Sequence, residues 1–439
     1  MAGRRKDLNR RNLPNGVSQK KDGAYKGRYC YTYEGLDGQR HNVYSYRLYE
    51  TDPVPKGKKL ESCVPLMTII TGIERDKQDR INTAGGGVTL NEMFEKYMEL
   101  KPGIKESTRA QHYGEWKLYV QNNLGLKKIS KITYIDIKSL YLLLLWDWPN
   151  RQTGEKGLSI GSVMAVHEMI YSALELARKN KLIRENPAEG IISEIKAENK
   201  SKVQTDHQIK SLTVEQQRKF LSYVKTTGKY SEWYDHFIVL FGTGMRIGEL
   251  SALRREDLDF KHNIININFS MERYKGRNDS ERCYHMHPPK SSAGKRAIPM
   301  FPEVKEALLR QLEHQLKTGL QTAVVDGYSG FVFLSKKGNP INYSTFDGIL
   351  YKIVASYNNE EIKLAEKEKR EPELLPRFSA HDIRHTFATR MAENNANQLV
   401  MKKVMGHERI ETTLDIYAEA TPTEENECFD DLEGKMSLA

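Results

Sequence analysis

The chain has 439 residues, of which 38% are hydrophobic, and it carries a formal net charge of +10. This length predicts more than one domain, and this composition excludes a chain that is disordered throughout. The four cysteines lie far apart without CxxC spacing, which argues against a disulfide framework or a zinc ribbon. The longest apolar run, YLLLLW, is too short to cross a bilayer, and no apolar segment follows the basic start. We therefore expect a soluble cytoplasmic protein with no membrane partner.

The charge is unevenly distributed along the chain. Residues 1–60 hold 14 Lys and Arg against 6 Asp and Glu, whereas the segment after Tyr417 holds 7 acids against a single lysine. A basic segment of this kind favours binding to a polyanion, and nucleic acid is the first candidate. The alternative is a basic face that serves only solubility.

The basic segment has the pattern of a small β-sheet. Polar and aromatic residues alternate in GAYKGRYCYTYEG and GQRHNVYSYRLY, with glycines between the two stretches. A helix is predicted at 62–82. The predicted strands carry Lys26, Arg28, Arg40 and Arg47. Because a thin basic sheet can enter the major groove of DNA, residues 1–82 are predicted to form a DNA-binding domain. The alternative is a small β module with its charges in water.

The middle of the chain has helical periodicity. Three glycines make 83–88 a flexible linker, and Thr89 is predicted to cap the first helix of an all-α domain at 89–195. We expect four helices before residue 182, the clearest at 159–180, where apolar residues form one stripe. A charged connector follows at 196–210.

A mixed, mainly helical domain is predicted at 211–422. Thr213 and Gln216 have the spacing of a capping box, which predicts a helix start. Further elements are predicted at 213–225, 232–241, 264–269, 282–288, 295–299 and 302–317, with more helices to about 417. The first, second and last of these are helices and the others short strands. An acidic tail at 423–439 completes the chain.

Two arginines stand out in this domain. Arg246 follows a Thr-Gly turn in TGMRIGELSAL and is predicted to lie in the first turn of a helix, with Glu249 three residues later on the same face. An arginine there could bind a phosphate with help from the helix N-terminus, or simply form a surface ion pair with Glu249. In SAHDIRHTFATRM, His381 and Arg384 share one helical face, with His385 beside them.

The stretch GHERIETTLDIYAEA adds His407 and Tyr417. A pair of arginines can clamp one phosphodiester and neutralise the charge that grows in its transition state. A tyrosine can attack that phosphorus, but its ordinary pKa of about 10 requires cations and a proton acceptor nearby. This set of side chains needs no metal.

These segments resemble the tyrosine recombinase (phage integrase) family. The arginine, the H-x-x-R motif, the Gly-His pair and the tyrosine occur in the family's order over residues 210–420. The helical middle region resembles the family's core-type DNA-binding domain. The basic start resembles the arm-binding domain of conjugative-transposon integrases, which is a three-stranded sheet.

The resemblance implies a role for each side chain. Tyr417 would be the nucleophile and form a 3′-phosphotyrosyl link, while Arg246 and Arg384 would hold the scissile phosphate. His381 would act as general base and phosphate ligand, and His407 would donate to the phosphate. The remaining implied residues are Lys290 as the acid that protonates the leaving 5′-oxygen, with Lys295 as its rival, and Glu249 and Asp257 as supporting acids.

The resemblance also implies how the protein works as an assembly. The phosphotyrosyl ester stores the bond energy, so strand exchange needs no ATP, metal or other cofactor. A homotetramer would act on core and arm attachment sites to integrate and excise a mobile element, with an excision or directionality factor as a further partner. The tail at 423–439 would dock on a neighbouring subunit; a solvated tail is the alternative.

Three other interpretations compete with this one. A type IB topoisomerase-like enzyme would use related chemistry on one duplex, but it needs no second DNA-binding head. A non-catalytic DNA-binding protein would not need the complete set of reactive side chains. Cys283, His285 and His287 alternate on a predicted strand and suggest zinc, but a fourth ligand is missing.

Overall fold

The computed structural model describes residues 17–19, 21, 25–34, 40–49, 88–149, 156–199, 211–289, 291–319 and 323–411. The chain divides into two compact units, Met1–His207 and Gln208–Ala439. Within the described ranges, no helix is long and apolar enough to cross a membrane.

The first unit begins with the predicted antiparallel sheet. Its strands are ordered β1, β2, β3, and they span Val17–Gln19, Tyr25–Glu34 and Arg40–Tyr49. The predicted strands are confirmed, and the four basic candidates all lie on β2 or β3. The register pairs Lys26 with Leu48 and Arg28 with Tyr46. The helix predicted at 62–82 lies outside the described residues.

Helices build the rest of the described part of this unit. They are α1 (Leu90–Glu99), α2 (Glu106–Tyr119), α3 (Tyr134–Leu142), α4 (Ile160–Lys179) and α5 (Ile191–Glu198). Thr89 caps α1 as predicted, in a capping box with Glu92. The apolar stripe of α4 is buried in the core of this unit, which confirms the clearest predicted helix.

The end of this helical region differs from the prediction. The connector was expected to start at residue 196, but α5 continues to Glu198. Ile191 and Ile195, four residues apart, are both fully buried in the core of the unit. These two isoleucines lie one helical turn apart. Their burial stabilises a helix that continues into the charged segment predicted to be a linker.

The second unit is mainly helical with small antiparallel sheets, as predicted. Its helices are α6 (Val214–Thr226), α7 (Tyr234–Thr243), α8 (Ile247–Ala252), α9 (Pro302–Thr318), α10 (Tyr343–Glu368), α11 (Ala380–Glu393) and α12 (Gln398–Met405). Its strands are β4 (Leu258–Asp259), β5 (Ile264–Ile267), β6 (Ser270–Tyr274), β7 (Cys283–His287) and β8 (Arg296–Pro299). β4, β5 and β8 form one sheet, and β6 pairs with β7 in another.

Strand β6 was missed at the sequence level. Its sequence, SMERY, has one buried apolar residue, Met271, among polar ones. The strand is held by pairing with β7, from Ser270 opposite His287 to Tyr274 opposite Cys283. Pairing between strands is a non-local interaction, so a short strand with little apolar alternation leaves a weak signal in the sequence.

One hydrophobic core positions the functional segments of the second unit. Phe220, Phe237 and Phe346 are fully buried in it, and the ring of Phe237 contacts both of the others. Helix α7 packs against α9 and α11, and α8 packs against β6. The start of α8 and the start of α11 are therefore carried by elements that share a packed core.

Candidate active site

Arg246 immediately precedes helix α8 and acts as its N-cap, one position earlier than the first turn predicted for it. The chain reaches it through Gly244, which ends α7 with φ +59°, a conformation that glycine adopts without strain. The Arg246 amide donates to Glu249 Oε2 at 2.8 Å and its Nη1 to Glu249 Oε1 at 2.9 Å. The arginine side chain is 43% exposed and the glutamate 3%, so the guanidinium remains accessible to a ligand.

Arg384 lies in helix α11 and is 2% exposed. Its Nη1 donates to the carbonyl oxygen of Gly244 at 2.8 Å, and its Nη2 donates to the carbonyl of Met405. The first contact reaches the turn before Arg246, and the second reaches the last residue of α12. One buried guanidinium therefore joins the ends of two helices, a placement that the motif spacing did not reveal.

Arg296, on strand β8, is a member of the site that the sequence analysis missed. Its side chain is 2% exposed. It donates from Nη1 to Glu249 Oε1 at 3.0 Å and from Nη2 to Glu249 Oε2 at 2.9 Å. The signal that could have found it is the strand pattern: Arg296 and Ile298 alternate as buried residues of β8. A buried arginine requires a carboxylate partner.

Three histidines lie around these arginines. The ring of His381 meets the ring of His385 edge to face, with centroids 4.5 Å apart. His407 is buried and follows Gly406, which ends α12 with φ +64°. The His407 amide donates to the carbonyl of Lys402 at 3.1 Å, so the turn at the end of α12 fixes the position of this residue.

The electrostatics of the cluster favour neutral imidazoles and an anionic ligand. Burial, and then the charge of Arg384, lower the pKa of His407 to about 4. Burial and the same charge also lower the pKa of His381. Burial, followed by the charge of Arg246, lowers the pKa of Arg384 to about 9. Since Glu249 is the carboxylate shared by Arg246 and Arg296, guanidinium charge exceeds carboxylate charge here, and a phosphate would relieve the imbalance.

A cavity of about 450 Å³ opens beside the cluster. Arg246, His381 and Arg384 all line it, so the structure brings these predicted residues together around one space. Ser270 and Tyr284 from the β6–β7 sheet line another part of it. A cavity with two guanidinium groups and an imidazole in its lining can hold a phosphodiester and accept a proton beside it.

Comparison with known proteins identifies the family. Residues 210–424 match the phage integrase family, and residues 1–77 match the DNA-binding domain of Tn916 integrase. The transposase from transposon Tn916 of Enterococcus faecalis is 30% identical over 422 residues, which cover 96% of this chain and 95% of that protein. The chain belongs to the phage integrase family.

Other members of this family, the tyrosine recombinases, agree with that assignment. A XerC-like tyrosine recombinase of Caldanaerobacter subterraneus is 25% identical, with 83% of this chain and 85% of the relative covered. The solved structure of the Tn1549 transposon integrase in complex with circular intermediate DNA is 26% identical, with a TM-score of 0.61. That match covers 80% of this chain and 100% of the solved chain. The predicted resemblance to conjugative-transposon integrases is confirmed.

Two predicted catalytic residues of this integrase-family chain, Lys290 and Tyr417, lie outside the described residues. The rival of Lys290, Lys295, lines a second hollow together with Pro289 and Ser291, the neighbours of Lys290 in the chain. Arg254 lines the same hollow. The assignment of the general acid to Lys290 therefore stays a prediction.

Asp257, the other predicted supporting acid, is buried next to that hollow. Its carboxylate accepts from Asn268 Nδ2 at 2.8 Å and from the Arg254 amide at 3.0 Å. Both of these partners line the hollow that contains Lys295. Asp257 therefore lies beside the connection between β7 and β8, whereas Glu249 contacts two arginines of the cluster directly.

The strand residues that suggested zinc have other partners. His285 Nε2 lies 2.9 Å from Asp279 Oδ2, and His287 Nε2 lies 2.9 Å from the Tyr274 hydroxyl. The Cys283 thiol donates to the carbonyl of Glu281 at 3.5 Å. Within the described part of the chain, no group of three or more His, Cys, Asp or Glu side chains is placed to hold a metal ion.

Proposed function

We propose that this chain is a site-specific DNA integrase that cuts and rejoins DNA through a 3′-phosphotyrosyl intermediate, and so integrates and excises a conjugative transposon. The observation that carries the proposal is the cavity lined by Arg246, His381 and Arg384, beside a cluster in which guanidinium charge exceeds carboxylate charge. Such a site suits a phosphodiester that gains charge in its transition state.

Cleavage would begin at the tyrosine hydroxyl. The Tyr417 oxygen attacks the scissile phosphorus while its proton passes to His381. The lowered pKa of His381 favours a neutral imidazole, which can accept this proton. Arg246 and Arg384 bind the non-bridging oxygens, and His407 donates a hydrogen bond to the same phosphate. The bond from phosphorus to the 5′-oxygen breaks, and that oxygen takes a proton from Lys290.

Rejoining would reverse the same steps. The 5′-hydroxyl of a partner strand attacks the phosphotyrosyl phosphorus and returns its proton to the lysine. The tyrosine oxygen leaves and recovers a proton from His381. One phosphoester bond is broken and one is formed in each direction, so the cycle balances without ATP or a redox partner, and the residues named supply every proton transfer.

The proposal includes the domain roles predicted from the sequence. Residues 1–82 would bind arm-type DNA sites, 89–195 core-type sites, and 211–422 would perform the chemistry. Two DNA duplexes require four active sites, so the working form would be a homotetramer with the tail at 423–439 exchanged between subunits. An excision or directionality factor would decide between integration and excision.

The test is a suicide substrate that carries a nick near the cleavage site of the element's own end. We expect the wild-type protein to become covalently joined to this DNA, and Tyr417→Phe to bind the same DNA with unchanged affinity but form no covalent complex. Tyr351→Phe, at an exposed position of α10, is the control and should behave as wild type. Covalent attachment of the Tyr417→Phe protein would show that another residue is the nucleophile.

A further inference from the structure

A buried ion network lies behind the proposed phosphate site, and its centre is Arg296. The guanidinium of Arg296 and the carboxylate of Glu249 are 2% and 3% exposed. They meet through two parallel N–H···O contacts of 3.0 and 2.9 Å. This fork geometry is specific to arginine, because a lysine ammonium cannot present two parallel donors to one carboxylate.

The Glu249 carboxylate is shared between two arginines. Its Oε1 atom accepts from Arg246 Nη1 at 2.9 Å and from Arg296 Nη1 at 3.0 Å. Without the second arginine, the buried carboxylate would be left with Arg246 as its cationic partner and would compete with a phosphate for it. Arg296 balances the charge of Glu249, and this leaves the exposed guanidinium of Arg246 available to an anion.

The same guanidinium also holds the turn that carries His407. Arg296 Nε donates to the carbonyl of Val404 at 2.5 Å, in the last turn of α12. Gly406 comes so close that a Cβ atom there would lie 3.1 Å from Arg296 Cδ and Nη1 and 3.0 Å from the carbonyl oxygen of Ala293. Arg296 Nη1 also donates to the carbonyl of Gly294, two residues earlier, at 3.1 Å.

We propose that Arg296 is a positioning residue of the recombination site: through Glu249 and the carbonyl of Val404 it holds Arg246 and His407 in register as ligands of one phosphate. The inference rests on the proposed function. The inference predicts that Arg296 affects binding of the scissile phosphate through Arg246 and His407, which contact the DNA. Arg296 itself does not contact the DNA.

The experiment compares Arg296→Lys with wild type in single-turnover cleavage of the suicide substrate. Since a displacement of about 1 Å can cost about 100-fold in rate, we expect covalent complex formation to be about 100-fold slower, with DNA affinity changed less than about threefold. Arg255→Lys is the control, because Arg255 is a partly buried arginine that donates to Gln315 at 2.7 Å. Its cleavage rate should stay at the wild-type level.

Two modified DNAs distinguish positioning from a general structural defect. A methylphosphonate at the scissile position carries no negative charge, so its cleavage depends less on the arginines. The gap between the cleavage rates of wild type and Arg296→Lys should therefore shrink on this DNA. A 5′-bridging sulfur replaces the leaving oxygen and removes the need for a proton donor, so the gap should persist. A gap that closes with sulfur, or that is the same on all three DNAs, would overturn the proposal.

Gly406→Ala provides an independent variant if Arg296→Lys does not fold. It keeps every charge, pushes a methyl group against Arg296 and the carbonyl of Ala293, and strains the turn at φ +64°. Because this displaces the turn that carries His407, it should slow cleavage with the same pattern on the three DNAs. Wild-type cleavage by both Arg296→Lys and Gly406→Ala would refute the positioning role. Absence of any covalent complex with the wild-type protein would instead refute the proposed function, so the two failures are distinguishable.

Discussion

At the scale of single residues, motif spacing was a good guide to which side chains meet but a poor guide to their surroundings. Arg246, His381 and Arg384 line one cavity, as their chemistry suggested. The sequence did not show that Arg384 would be buried against the carbonyls of Gly244 and Met405. Those contacts join segments that are far apart in the chain, and a local pattern carries no information on them.

Substitution of single residues can decide whether Lys290 or Lys295 is the general acid. We expect Lys290→Ala to lose cleavage of ordinary DNA by about 100-fold or more, since a general acid contributes about 10²- to 10⁴-fold. A 5′-bridging sulfur should restore its cleavage, because a thiolate leaves without protonation. Lys295→Ala, the matched variant in the same connection between β7 and β8, should cleave both DNAs like wild type. The reverse pattern would assign the acid to Lys295.

At the scale of elements, capping residues were the most informative local signals. Thr89 and Thr213 cap helices through capping boxes at the predicted positions. Another box begins α11: Ser379 Oγ donates to Asp382 Oδ2 at 2.8 Å, and the Ser379 amide donates to the same oxygen at 2.7 Å. This box fixes the first turn of the helix, which carries His381.

We expect Ser379→Ala to lower the free energy of unfolding by about 1 kcal/mol, the usual cost of losing a side-chain N-cap. Covalent complex formation should also slow several-fold, because fraying of the first turn displaces His381. Thr213→Ala removes the equivalent box from α6 at a similar cost in stability and should leave cleavage unchanged. Chemical denaturation and the suicide substrate measure the two effects. Equal cleavage by both variants would show that the α11 cap has no role in the site.

Short strands and helix ends were the elements that local patterns predicted least well. β6 depends on pairing with β7, and α5 extends to Glu198 because Ile191 and Ile195 are buried in the core of the first unit. Both corrections have one physical cause. Tertiary partners stabilise backbone conformations for which the segment's own residues have only a weak preference.

At the scale of the whole molecule, a buried histidine makes the folding stability depend on pH. His236 is 4% exposed, and its ring lies 4.9 Å from that of Trp233 and 4.6 Å from that of Phe333. Burial lowers the pKa of His236 to about 3, whereas its ordinary value is 6.5. As pH falls below 6.5 the unfolded chain takes up a proton that the folded chain does not, so stability is lost from there down to about pH 3.

We expect the wild-type protein to lose about 2 kcal/mol of unfolding free energy through His236 between pH 7 and pH 5. His236→Phe keeps a ring in the same aromatic pocket and should lose less stability over this interval. His314→Phe, at an exposed position of α9, should keep the wild-type dependence. Denaturant unfolding at the two pH values measures the difference. An unchanged dependence in His236→Phe would mean that this histidine is protonated in the folded state.

A separate prediction concerns the DNA-binding domain expected at residues 1–82. Removing residues 1–82 should leave cleavage of core sites intact and abolish protection of distant arm-type repeats in a DNase footprint. Replacing Lys26, Arg28, Arg40 and Arg47 with alanine in the full-length chain is the matched variant and should have the same effect. Binding to the repeats should weaken steeply with salt, because phosphate contacts release counterions. Unchanged footprints after truncation would contradict an arm-binding role for residues 1–82.

The sequence by itself determined the family and the mainly helical multidomain fold, and it predicted which side chains would carry the chemistry. These depend on residue types, order and local periodicity, which the chain carries directly. The tertiary structure decided the burial of Arg384, the place of Arg296 between Glu249 and the end of α12, and the lowered pKa of His407. Burial and shared hydrogen bonds arise only when distant segments pack together, so no stretch of sequence could specify them alone.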